Sequence, residues 1–270
     1  MNVSTQMEPR EQRQPSGVFK LFDRYPVTSA VTLAIIDLAF AVLVGSAAKA
    51  WTPGIDPAFL ALCVLTVAVA GVLTALGWWR VVGFNRPRAW RNLRLMWVPG
   101  VVAIVLPFLH GARSVPALTI LYLAVGYGLT GFTEEAWSRG ILLRILERRG
   151  IVPAILVSSI LFALSHATNL LFRNPFVVGA QMVGAFCDGL AMAALRVRTR
   201  TIWTVILFHA VHDLFLQLSG FPVIPLDVVQ DIILLVYGLY LIHGIRTGTA
   251  DHAPGASRDE AQLAGPQAAS

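Results

Sequence analysis

Long apolar stretches alternate with short polar ones along most of this chain, and the apolar stretches have the length of membrane spans. Eight of them lie at about 28–50, 57–79, 95–111, 116–138, 152–171, 177–195, 201–219 and 226–245. Each is near the ~20 residues that a helix needs to cross hydrocarbon, the third being short. The pattern predicts an all-α polytopic membrane protein, a bundle of eight transmembrane helices. No soluble domain stands outside the apolar runs. The expected organisation is a cytoplasmic N-terminal tail over 1–27, a membrane domain over 28–246 and a disordered cytoplasmic tail over 247–270, rich in Ala, Gly, Pro and Ser. Between Gly17 and Pro26, Phe19, Phe22 and Tyr25 suit a segment lying along the interface.

The charges test this division independently. Eighteen of the 21 Lys and Arg fall in the regions that an inside N-terminus would leave inside. The other three, Lys49, Arg113 and Arg173, fall outside. Every inner loop then follows the positive-inside rule, so both termini are expected in the cytoplasm. The formal net charge of +6 is accounted for in the same way and calls for no nucleic-acid partner. Composition agrees: 13% of residues are charged, against about 25% for a soluble domain. Lys20 and Lys49 are the two lysines, an arginine bias that suggests a GC-rich genome and a bacterial cell membrane. Cys63 and Cys187 lie in apolar runs with no CxxC spacing and read as small apolar side chains. The polar, charged opening of the chain does not read as a cleavable signal peptide. No internal repeat is visible, which removes the paired-half pattern of many transporters.

Ionisable groups within apolar spans are costly and therefore informative. They are Asp37, Glu134, Glu135, Arg139, His166, Asp188, His209, His212, Asp213 and Asp231. Glu134 lies sixteen residues before Gly150 and His166 sixteen after it, so on an antiparallel hairpin both sit about 24 Å from the turn. With about 10 Å of that hairpin projecting from the bilayer, the pair lies about 14 Å deep. His209, nine residues beyond Arg200, and Asp188, ten before Arg198, reach a similar depth. Four costly residues from four spans thus share one layer, counted from the cytoplasmic side. Glu135 and Arg139 are spaced four apart with the acid first, the favourable order for an ion pair. Glu134, rotated about 100° from Glu135, is left to face a cavity. Phe162 precedes His166 by four residues and can pack on its ring, and His209 and Asp213 share a helix face.

These residues read Glu134-Glu135-Ala136-Trp137-Ser138-Arg139, then Phe162-Ala163-Leu164-Ser165-His166, then His209-Ala210-Val211-His212-Asp213. In order and spacing the chain resembles the CPBP family of intramembrane glutamic endopeptidases, also called the ABI or CAAX-protease family. Its pattern is EExxxR, FxxxH and HxxxN or HxxxD on three helices of an eight-span bundle. The resemblance covers about residues 115–245. It implies a metal-independent peptidase with no cofactor, in which Glu134 is the general base and His166 assists it. His209 and Asp213 would line the oxyanion site, and Glu135 and Arg139 would hold the helix. Asp213 stands where well-studied members carry Asn. An ionised Asp accepts hydrogen bonds without donating one, which suits it to orienting His209 as the charge-stabilising group.

The chemistry stands beside the family pattern. A carboxylate out of water is a better base near neutral pH. A neighbouring imidazole can share its proton, and a second can stabilise a tetrahedral intermediate. Arg144, Arg148 and Arg198 form a basic rim that could gather anionic segments or lipid head groups. One Arg cannot neutralise two acids, which favours function over a structural network for Glu134. His212 reads as structural, and Asp188 as either a supporting partner of the site or a helix–helix contact. Asp37 and Asp231 read as interhelical contacts, and Gly126, Gly128 and Gly131 as close-packing sites. The function expected is cleavage of a peptide or membrane-protein segment from the cytoplasmic side, with oligomeric state open. Two alternatives remain: a zinc metalloprotease using Glu134, His166 and His209, and a non-catalytic immunity or scaffold factor.

Overall fold

The computed structural model describes residues 17–247 apart from 53, 55, 88, 89 and 172. Of the tails expected over 1–27 and 247–270, residues 1–16 and 248–270 lie outside the described residues. The described chain is all-helical, with one isolated bridge, Ala112 with Ser219, and no strand. The helices are α1 (Gly17–Arg24), α2 (Pro26–Trp51), α3 (Pro57–Leu76), α4 (Trp97–Gly100), α5 (Ala117–Glu135), α6 (Leu143–Leu146), α7 (Ile151–Ser165), α8 (Pro175–Thr199), α9 (Trp203–Leu218) and α10 (Val223–Arg246). Each of the eight apolar segments is therefore helical for most of its length. Five helices are long and apolar enough to cross a membrane: α2, α3, α7 with its extension to Leu171, α8 and α10. The apolar helices over Asn92–Phe108 and Trp203–Leu218 are shorter.

Local chemistry sets the helix ends. Asp56 caps α3 by accepting from the backbone N–H of Ala58 at 2.9 Å, with Pro57 in the first turn. Gly77 ends α3 in the left-handed conformation, φ 66°. Asn174 and Pro175 open α8 in the same way as Asp56 and Pro57 open α3. The third apolar segment carries Pro99 and Pro107, and its helix is broken into α4, a π turn over Val101–Val105 and a 3₁₀ turn over Leu106–Phe108. The segment with Phe19 and Phe22 folds as α1, and its two rings pack on Trp78 at 5.7 and 5.9 Å.

The connections gather at two ends of the bundle. At one end Arg113 N–H donates to Leu218 O at 2.8 Å, Gly220 N–H to Gly111 O at 2.9 Å, and the Tyr122 hydroxyl to Asp56. At the other, Ile202 N–H donates to Gly83 O at 2.9 Å, Arg196 Nε to Val82 O at 3.0 Å, and Asn92 to Arg198 O at 3.2 Å. Hydrophobic side chains such as Phe176, Leu118 and Val67 stay exposed on the outside, as lipid-facing positions do.

The centre belongs to α8. Half of its most apolar window is buried, against 11% for α2. Small residues let its neighbours approach. A Cβ on Gly189 would lie 3.0 Å from Ser159 Cβ of α7, and one on Gly238 of α10 would lie 2.9 Å from Ala191 N. Gly131 of α5 meets Ile206 O of α9 at 2.9 Å in the same sense, so it is a close-packing site; Gly126 and Gly128 face open space.

Candidate active site

At the end of α5 the backbone leaves the α-helical repeat. Glu134 and Glu135 are its last residues, and a π-helical stretch follows over Ala136–Leu142. Single π turns are frequent at functional sites because they re-aim side chains. Here Glu135 is fully buried and accepts from Arg139 at 2.9 Å, while Arg139 lies over the Phe162 ring at 3.8 Å. His209 Nδ1 also donates to Glu135, at 2.7 Å. The expected Glu135–Arg139 pair is thus a triad reaching across to α9.

Glu134 behaves differently. Its side chain is 35% exposed and faces His209 Nε2 at 3.8 Å. The same nitrogen lies 3.5 Å from Asp213 Oδ2. His209 therefore has one nitrogen held by a buried carboxylate and the other turned toward two more.

α7 stops at Ser165, and His166 opens a 3₁₀ turn to Leu171. His166 Nδ1 lies 2.9 Å from Phe162 O. A carbonyl can only accept, so Nδ1 donates this bond and Nε2 is the nitrogen left to face the cavity. Phe162 packs edge-on to His166 at 4.9 Å and to His209 at 6.2 Å, a wall between the two rings.

A cavity of about 270 Å³ joins these groups. Glu134, Glu135, Arg139, Phe162, His166, Asp188, His209 and Asp213 all line it, so the structure brings every sequence-predicted site residue to one space. It also brings three that sequence reasoning assigned elsewhere or passed over: His212, Asp227 and Asp231. Their signal was helical spacing, since Asp227 and Asp231 are four apart on α10 and Gly184 and Asp188 four apart on α8. A second cavity of about 160 Å³ reaches Glu134 and Phe162 from another side, where Asp37 of α2 lines it. Asp37 therefore shares that space with Glu134.

No group of three or more His, Cys, Asp or Glu side chains among the described residues is arranged to hold a metal ion.

A buried acid paired with Arg139, a half-exposed acid with no Lys or Arg partner among the described residues, and two imidazoles lining the same cavity make a hydrolase-like arrangement in a membrane-protein fold. Residues 116–215 match the family model described as type II CAAX prenyl endopeptidase Rce1-like, which is the CPBP/CAAX protease family that the three motifs resemble. All three motifs fall within the matched residues. That family is one of peptide hydrolases, and the match together with the apolar helices makes this a multi-pass integral membrane protein. No curated protein and no solved structure matches the chain.

Proposed function

We propose that the protein is an intramembrane endopeptidase in which Glu134 activates water for attack on a peptide carbonyl. The observation that carries the reading is the meeting of Glu134, His166 and His209, from three helices, on one cavity. Glu134 takes one proton from the attacking water as its oxygen adds to the carbonyl, and that proton, shared with His166, passes to the leaving amine as the C–N bond breaks. His209, flanked by carboxylates at both nitrogens, donates from Nε2 to the oxyanion. Asp213 orients that ring and does not itself donate. Glu135 and Arg139 fix Nδ1 of His209 and the turn below it.

The chain crosses the membrane eight times with both termini cytoplasmic, in a bacterial cell membrane; the charge pattern and the two-ended gathering of the connections support this. The site opens to the cytoplasmic side, a reading supported by the depth of Glu134, His166 and His209 counted from Gly150 and Arg200. The reaction uses no metal, and undiminished turnover in chelator is the matching observation.

Comparison of membrane-protein fragments between cells carrying the wild type and cells carrying Glu134→Ala tests the function. New N-termini that depend on Glu134 are expected. Identical fragment patterns, with the biological role kept by the variant, would instead support a non-catalytic immunity or scaffold factor.

A further inference from the structure

The far wall of the cavity is acidic and has no partner. Six carboxylates line the cavity: Glu134, Glu135, Asp188, Asp213, Asp227 and Asp231. The bases facing them are Arg139, His166, His209 and His212, so acids outnumber bases even with every imidazole protonated. Arg139 is committed to Glu135, and His209 and His212 lie against Asp213 at 3.5 and 3.4 Å. No ion pair reaches Asp188, Asp227 or Asp231 among the described residues.

The wall is built rather than incidental. Asp231 occupies a notch made by Gly184, where an added Cβ would sit 2.5 Å from Asp231 Oδ2. Any larger residue on α8 would push the carboxylate away. Asp227 follows one turn along the same face of α10. Two further buried atoms at the cavity have no hydrogen-bond partner, Asp188 Oδ1 and His212 Nε2. His212 is only 4% exposed. Carboxylates without an ion pair and idle buried polar atoms on one wall call for a group with several N–H donors and a positive charge.

We propose that Asp188, Asp227 and Asp231, with His212, form a subsite for a basic side chain of the substrate, an arginine guanidinium or a lysine ammonium. The inference rests on the peptidase reading and names its substrate class: peptide segments with a cationic residue close to the scissile bond. A guanidinium fits best, since its planar fork of donors can bridge carboxylates on two helices. The three acids are specificity-determining rather than catalytic.

Binding separates this subsite from catalysis. The probes are fluorescein-labelled pentapeptides Ala-Ala-Xaa-Ala-Ala with Xaa as arginine, lysine or citrulline, the last keeping the shape without the charge. They are titrated into purified full-length Glu134→Ala protein in micelles, so that no probe is consumed. The arginine peptide is expected to bind at least about tenfold more tightly than the citrulline one. Asp231→Asn and Gly184→Ala, each confirmed folded by its melting transition, should cut that preference to about twofold or less while leaving citrulline binding unchanged. Asp227→Asn serves where either variant fails to fold. Equal binding of the arginine and citrulline peptides, no binding of either, or a preference surviving these substitutions overturns the subsite. Charge-selective binding without any cleavage by the wild type would keep the subsite and overturn the peptidase.

Discussion

Substituting Glu135 by Leu should unfold the site's foundation. The carboxylate is 0% exposed and serves Arg139 at 2.9 Å and His209 at 2.7 Å, while Arg139 is 1% exposed. Removing one partner of a buried pair strands the other charge, at about 3–5 kcal/mol. At about 2–4 °C per kcal/mol for a domain of this size, Glu135→Leu should lower the melting temperature by roughly 6–20 °C. Arg139→Leu should cost a similar amount, because it strands Glu135 and also removes the cation from the Phe162 face. The double variant separates the contributions. With both charges gone, the remaining loss is the acceptor at His209 Nδ1, about 1–3 kcal/mol. The double variant should therefore be less unstable than the sum of the singles by at least about 2 kcal/mol. Thermal unfolding of the full-length protein in micelles reads all four corners of this cycle. Strictly additive losses, or single variants within about 2 °C of wild type, would refute a buried triad.

Other outcomes follow from the packing and the caps. Gly131→Val should lower stability by about 1–3 kcal/mol in the same assay, since its Cβ would meet Ile206 O at 2.9 Å. Asp56, outside the spans, is held below the usual carboxylate range by its bond from Tyr122 and then by the Ala58 N–H. A depressed acid stabilises the fold above its unfolded value of about 3.9 and loses that contribution as pH falls through the lower, folded value. The α3 cap should therefore weaken below about pH 4 in wild type, with Asp56→Asn removing that acid dependence in a pH series of melting curves. Breaking the exposed Arg148–Asp23 pair, 2.8 Å apart, with Asp23→Asn should change stability by less than about 1 kcal/mol.

Much of the site was legible because helical rise turns sequence distance into depth. Glu134, His166 and His209 could be set in one layer by counting from Gly150 and Arg200, and helix phase separated Glu134 from Glu135. The departures come where the rise changes or where neighbours must be known. A π stretch after Glu135 and a 3₁₀ turn from His166 alter the side-chain directions that a straight helix would give. That Asp231 lines the cavity was not legible, because nothing in one sequence says that α10 packs on α8, or that Gly184 opens the notch it fills. The third segment read only as short, and its break at Pro99 and Pro107 is seen in the structure.

The most direct test of convergence is the initial cleavage rate of one substrate peptide by purified wild type and by Glu134→Gln, His166→Ala and His209→Ala, all in the same liposomes. Each substitution is predicted to slow cleavage by about 10²-fold or more while the protein stays folded. Wild-type cleavage by any one of the three would contradict a site shared by one acid and two imidazoles.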